Sequence, residues 1–132
     1  LTLYVDSSAL VKRYVDEHDS EAALRLMETD PVLVTSRITE VEVRRSLAHL
    51  LRDETLSAAR RAFAVDLDSF ALVGLDAAIA NEASRIAEQT LCRSLDALHL
   101  ASAVRAGRAT VLTFDLRQAQ VARTLGLSVL GA

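Results

Sequence analysis

Five short apolar runs with strand character, Leu3–Val5, Val32–Thr35, Ala71–Gly74, Thr110–Thr113 and Ser128–Leu130, are separated by longer stretches of helical periodicity. The helical patterns fall at about Ser7–Val15, Ser20–Thr29, Arg37–Arg52, Leu56–Ser69, Ala77–Thr90, Leu95–Ala106 and Leu116–Thr124. Strands that alternate with helices pair in parallel, because each crossover helix must lie on a sheet face. The alternation therefore predicts an α/β fold with its sheet covered on both faces. Ser36 can cap the third helix and Ser94 the sixth, while Gly107 and Gly126 sit where C-terminal glycines stop helices.

Composition adds bounds. A chain of 132 residues is long enough to bury a core and reads as one domain spanning 1–132. It opens on Leu1, which reads as a chain lacking its initiator residue. No apolar run reaches the ~18 uncharged residues of a membrane span. The single cysteine, Cys92, excludes an internal disulfide framework and reads as structural; together these fit a cytoplasmic protein and no membrane partner. The formal net charge of −3 argues against a dedicated DNA-binding face. Its positive charge is nearly all arginine, which suits phosphate forks and equally fits codon bias.

Ligands of parallel sheets bind beyond the carboxyl ends of the strands. Asp6 ends the first strand, in "TLYVDSSALVKRY", and Asp115 follows the "TVLTF" run. Asp96 stands among Leu95, Ala97, Leu98 and Leu100, on a helix apolar enough to be buried. A buried carboxylate is costly unless paired or liganded. Any one of these acids alone would read as a helix cap or a first-turn acid on the helix dipole. Together, at one end of the fold, they read as a site.

A fourth acid should come from "TSRITEVEVRRSL", where Glu40 and Glu42 compete. Glu40 shares a helix face with Val43 and Leu47, Glu42 with Ile38, Arg45 and His49, and periodicity does not choose. Converging carboxylates repel: two unit charges about 4 Å apart cost roughly 4 kcal/mol at an effective dielectric of 20. They can share protons or bind a hard divalent cation, and an all-oxygen set favours Mg²⁺ or Mn²⁺ over zinc.

The segments "YVDSSALVKRY", "TSRITEVEV", "SLDALHLASA" and "VLTFD", in that order, resemble PIN-domain ribonucleases, especially the VapC-type toxins of toxin–antitoxin pairs. The resemblance covers essentially the whole chain. It implies a three-layer α/β/α sandwich with a five-stranded parallel sheet, and Mg²⁺- or Mn²⁺-dependent cleavage of RNA by a metal-activated water. It carries Asp6, Asp96 and Asp115 over as catalytic and metal-holding acids. Counted from Ser36, the family register selects Glu42 as the fourth. Many relatives carry a further Asp followed by Phe; here Asp115 is followed by "LRQAQ", which leaves open whether one or two ions bind.

Thr113 and Ser7 are candidate polar helpers, or simply turn and cap groups. His99 either orients a water or is a satisfied helix histidine, and Arg117 either steadies a phosphate or pairs with an acid. The implied partners are RNA, a VapB-type antitoxin and a second copy of the chain as a homodimer. An antitoxin arginine could replace the cation, with apolar anchors docking around Leu10–Val15 and Ala22–Met27. Two rival classes are a non-catalytic PIN-fold binding module and a receiver-type signalling domain. The second needs a lysine late in the chain, and the only lysine is Lys12.

Overall fold

The computed structural model describes residues 2–29 and 32–132. Five parallel strands, β1 (Leu3–Val5), β2 (Leu33–Ser36), β3 (Ala71–Val73), β4 (Thr110–Thr113) and β5 (Val129–Gly131), form one sheet in the order β3-β2-β1-β4-β5. Leu3 stands opposite Leu33 on one side and Thr110 on the other, so β1 is the central strand. The helices are α1 (Ser7–Leu10), α2 (Ser20–Met27), α3 (Arg37–Leu50), α4 (Asp53–Ser69), α5 (Ala77–Thr90), α6 (Ser94–Arg105) and α7 (Leu116–Thr124).

Strand pleating divides the core in two. Leu3, Val5, Leu33 and Leu112 face one way and pack with Leu10, Met27, Val43, Leu47 and Phe63 from α1 to α4. Tyr4, Val34 and Val111 face the other way, against Ile79, Ile86, Leu100 and Ala122 from α5 to α7. The result is the three-layer α/β/α sandwich with a five-stranded parallel sheet. The chain moves outward from β1 through β2 to β3, then returns to β4 on the other side of β1. The crevice at that reversal, between the carboxyl ends of β1 and β4, is where such sheets bind ligands.

Several local signals act as the sequence suggests. Ser36 Oγ accepts from Ile38 N at the start of α3. Gly107 and Gly126 both adopt φ +80° after α6 and α7, where a side chain would be strained. Others differ. Ser94 is the first residue of α6 rather than its cap; Arg93 occupies the cap position with extended backbone and no side-chain cap bond. The pattern over Ser7–Val15 splits into α1 and a 3-10 turn at Val11–Arg13. Past that turn, Arg13 and Tyr14 both reach Asp66 of α4, at 3.0 and 2.6 Å. The apolar residues proposed as antitoxin anchors are mostly core: Leu10, Val11, Ala23 and Met27 are buried, and Leu24 is 38% exposed. Their hydrophobicity is consumed by the sheet.

Gly131 is required by a close approach. It pairs with Thr113, and a Cβ there would lie 2.4 Å from the Thr113 carbonyl oxygen. Among the described residues no helix is long and apolar enough to cross a membrane.

Candidate active site

Asp6 leaves β1 with extended backbone and caps α1, so its carboxylate is carried to the strand end and held there by the helix behind it. It is 2% exposed, and each oxygen accepts hydrogen bonds. Oδ1 accepts from Ser8 Oγ at 2.7 Å and Ala9 N at 3.0 Å. Oδ2 accepts from Thr113 Oγ1 at 2.5 Å and Gln118 Nε2 at 3.0 Å. Burial nonetheless pushes the Asp6 carboxyl above the usual carboxylate range, with the nearby His99 and the hydroxyl donors opposing the rise. Ser8, two residues into the helix, supplies a hydroxyl to Asp6; Ser7, a candidate polar helper or cap group from the sequence, lines the cavity.

Thr113 joins two acids. Its hydroxyl donates to Asp6 and accepts from Asp115 N at 3.0 Å, while Ser8 Oγ accepts from Phe114 N at 2.9 Å. The β4–α7 junction is thereby tied to the β1–α1 junction. Asp115 caps α7 through Arg117 N at 2.9 Å and Gln118 N at 3.2 Å, leaving Oδ2 for the site. Asp115 and Gln118 have the Asp-x-x-Gln spacing of a capping box. Here the glutamine side chain does not return to its own cap; it crosses to Asp6.

Asp96 lies in the first turn of α6, 6% exposed. Arg93 donates from Nε to Asp96 Oδ2 at 3.1 Å and from the guanidinium tip to Asp115 Oδ2 at 3.4 Å. The hydrogen bond to Asp96 holds the Arg93 guanidinium more firmly protonated than usual, with Asp115 adding to it. One turn on, His99 is buried; its Nε2 lies 2.5 Å from Glu42 Oε1 and its Nδ1 2.8 Å from the Tyr4 hydroxyl. Burial raises the Tyr4 phenol far above its ordinary value, so it stays protonated.

A cavity of about 300 Å³ opens at these strand ends, and Asp6, Glu42, Asp96 and Asp115 all line it, with His99, Arg93 and Gln118. Glu40 is elsewhere: it pairs with Arg37 at 2.8 Å and lines a separate cleft with Arg44 and Arg60. A larger cleft of about 570 Å³ adjoins the acid cavity, sharing Arg93 and Asp96 and adding Arg117. Arg117 makes no ion pair among the described residues. Sequence reasoning missed Ser8, Gln118 and Arg93 as site residues; the capping spacing at Gln118 and the three-residue offset of Arg93 from Asp96 were the available signals.

The donor set is all carboxylate, the chemistry a hard divalent cation takes. Among the described residues no three acidic, histidine or cysteine side chains close on a single point. Arg93 instead supplies positive charge between Asp96 and Asp115, a guanidinium standing in for a cation. In donor chemistry the site fits Mg²⁺ or Mn²⁺.

Comparison with known proteins agrees with this architecture. The PIN domain family model matches residues 3–124. Ribonuclease VapC46 of Mycobacterium tuberculosis is 36% identical over 130 residues, covering 97% of this chain and 95% of the relative. Among solved structures, M. tuberculosis VapC20, described as a sarcin–ricin loop cleaving toxin, superposes with a TM-score of 0.77 at 18% identity, covering 98% of each chain. A chain of a toxin–antitoxin complex from Klebsiella pneumoniae gives a TM-score of 0.70 at 18% identity, covering 89% of each chain. This chain belongs to the PIN domain family and, within it, to the VapC ribonuclease toxins.

Proposed function

We propose that the chain is a Mg²⁺- or Mn²⁺-dependent endoribonuclease, the toxin of a toxin–antitoxin pair. The observation that carries this reading is the grouping of Asp6, Glu42, Asp96 and Asp115 on one cavity at the strand ends. Family membership alongside a relative named as a ribonuclease supports the substrate class. In this reading the four acids hold the metal, which when bound activates water and offsets charge at phosphorus.

The chain's own groups prepare that chemistry. Ser8, Thr113 and Gln118 fix both oxygens of Asp6, so its orientation needs no reorganisation when substrate arrives. The acid cavity repels RNA phosphates, whereas the adjoining cleft presents Arg93 and Arg117 to them. The arginine side is thus where the RNA backbone would lie, next to the acids.

The antitoxin is part of the same proposal, supported by a neighbour of the same fold that sits in a toxin–antitoxin complex. An antitoxin arginine entering the cavity would form bidentate, charge-assisted bonds to these carboxylates and compete with the metal. A homodimer completes the proposal and is read by light scattering of the purified chain. The deciding experiment incubates purified chain with structured and single-stranded RNA in Mg²⁺, Mn²⁺ or EDTA. Cleavage that needs metal and disappears when the product of the neighbouring small reading frame is added is the expected result. Binding without cleavage under every condition would instead leave a non-catalytic RNA-binding module.

A further inference from the structure

Glu42 differs from the other three acids in how it is held. Asp6 and Asp115 are helix caps fixed by backbone N–H groups, and Asp96 sits in a first helical turn. Glu42 is in the second turn of α3 on a longer, more flexible side chain, 25% exposed. Its one hydrogen bond among the described residues is to His99 Nε2.

The proton inventory fixes the direction of that bond. An ionised carboxylate only accepts, so Nε2 must carry the hydrogen. A neutral imidazole protonated at Nε2 has a bare Nδ1, which accepts; the group facing Nδ1 at 2.8 Å is the Tyr4 hydroxyl. For the neutral ring the network assigns the hydrogens: Tyr4 O–H donates to Nδ1, and Nε2–H donates to Glu42. The two rings meet edge to face, centroids 6.0 Å apart at 68°, which fixes the imidazole plane. Tyr4 is fully buried in β1, two residues before Asp6, and His99 is on α6, three residues after Asp96. The relay therefore ties α3 to the two elements that carry the deepest acids.

We propose that Tyr4 and His99 are positioning residues for Glu42: the tyrosine hydroxyl selects the histidine tautomer, and the histidine N–H aims the carboxylate into the acid cavity with Oε2 free for the ligand. This rests on the proposed role of Glu42 as a site acid. Ligating carboxylates that are themselves hydrogen-bonded lose about 10- to 100-fold in metal affinity or activity when that outer partner is removed.

The test uses full-length chain with three variants: Tyr4→Phe, which removes only the hydroxyl; His99→Ala; and His99→Gln, whose side-chain N–H lies at the same reach as Nε2. In metal-free wild type, nitrogen NMR should show the His99 ring proton on Nε2, and Tyr4→Phe should erase that preference. Mn²⁺ titration should weaken about 10- to 100-fold in His99→Ala and partly recover in His99→Gln. RNA cleavage should lose kcat with KM little changed, in the same order. A ring proton on Nδ1 in wild type, or His99→Ala binding Mn²⁺ as tightly as wild type, would overturn the proposal. So would His99→Gln failing as badly as His99→Ala while melting like wild type, because the N–H would then be irrelevant. Glu42→Gln provides the separate control. If that variant binds Mn²⁺ and cleaves RNA normally, the role given to Glu42 fails first, and the relay has nothing to position.

Discussion

Arg93, 60% exposed, donates through Nε to the nearly buried Asp96 at 3.1 Å. An exposed ion pair contributes little to folding, yet this one shields a carboxylate that water scarcely reaches. The same guanidinium extends to Asp115, so one exposed side chain pairs with two candidate metal ligands. A cation entering between Asp96 and Asp115 would have to displace it. Arg93→Gln is therefore expected to tighten Mn²⁺ binding a few-fold at low ionic strength, with the gain shrinking as salt screens the pair. Calorimetric titration of the two proteins checks this; equal or weaker binding by the variant would remove Arg93 as a competitor.

Asp6→Asn and Asp96→Asn should fold and lose RNA cleavage by at least the roughly 10- to 100-fold that removing a mere outer partner of a ligand costs. At Asp6 the amide oxygen can still accept from Ala9 N, while Thr113 can rotate its hydroxyl and Gln118 can flip its amide so that both accept instead. A neutral amide cannot offset a divalent charge. Circular dichroism with a cleavage assay separates the two effects, and full activity in either folded variant would contradict the assignment.

Glu42→Gln should damage cleavage far more than Glu40→Gln. Glu40 is bonded to Arg37 on the surface, where substitutions usually shift stability by no more than ~0.5 kcal/mol. Side-by-side rates on one RNA decide the matter, and a larger loss at Glu40 would move the site to the other cleft.

Millimolar Mg²⁺ or Mn²⁺ should raise the melting temperature. A ligand bound only by the folded state adds about 2.7 kcal/mol at a hundred times its dissociation constant. The pH dependence follows from Asp6, whose carboxyl is raised by burial. In metal-free protein its favourable contribution is complete below the unfolded carboxyl value and is lost as pH rises through the raised one. A metal held by Asp6 would offset that loss at neutral pH. The difference between metal-bound and metal-free melting should therefore narrow on acidification, beginning above the ordinary carboxylate range. Melting curves with Mg²⁺ or EDTA across pH measure it, and a gap independent of pH would show that Asp6 is not a ligand.

The sheet and the grouping of acids were legible because they follow from periodicity and topology. Strands alternating with helices dictate parallel pairing, and parallel pairing puts Asp6 and Asp115 at the same edge. Glu42 was not legible from the helical wheel. Both candidate glutamates lie on half-buried faces of α3, and what separates them is the approach of α6, a long-range contact. Ser8 was not legible beside Ser7 because α1 is a single turn, and its cap aims the second residue, not the first, back at the carboxylate. Gln118 carried a capping pattern, but its side chain is taken by an acid more than a hundred residues away.

That separation along the chain has a consequence for folding. Asp6 meets Thr113 and Gln118 only once β4 has docked beside β1, across more than a hundred residues of chain. Contacts so distant in sequence are slow to form, because the loop between them must close before they reward it. The carboxylate at the end of β1 is therefore oriented only in the completed sheet, and any opening of the β1–β4 pairing releases it from both clamps.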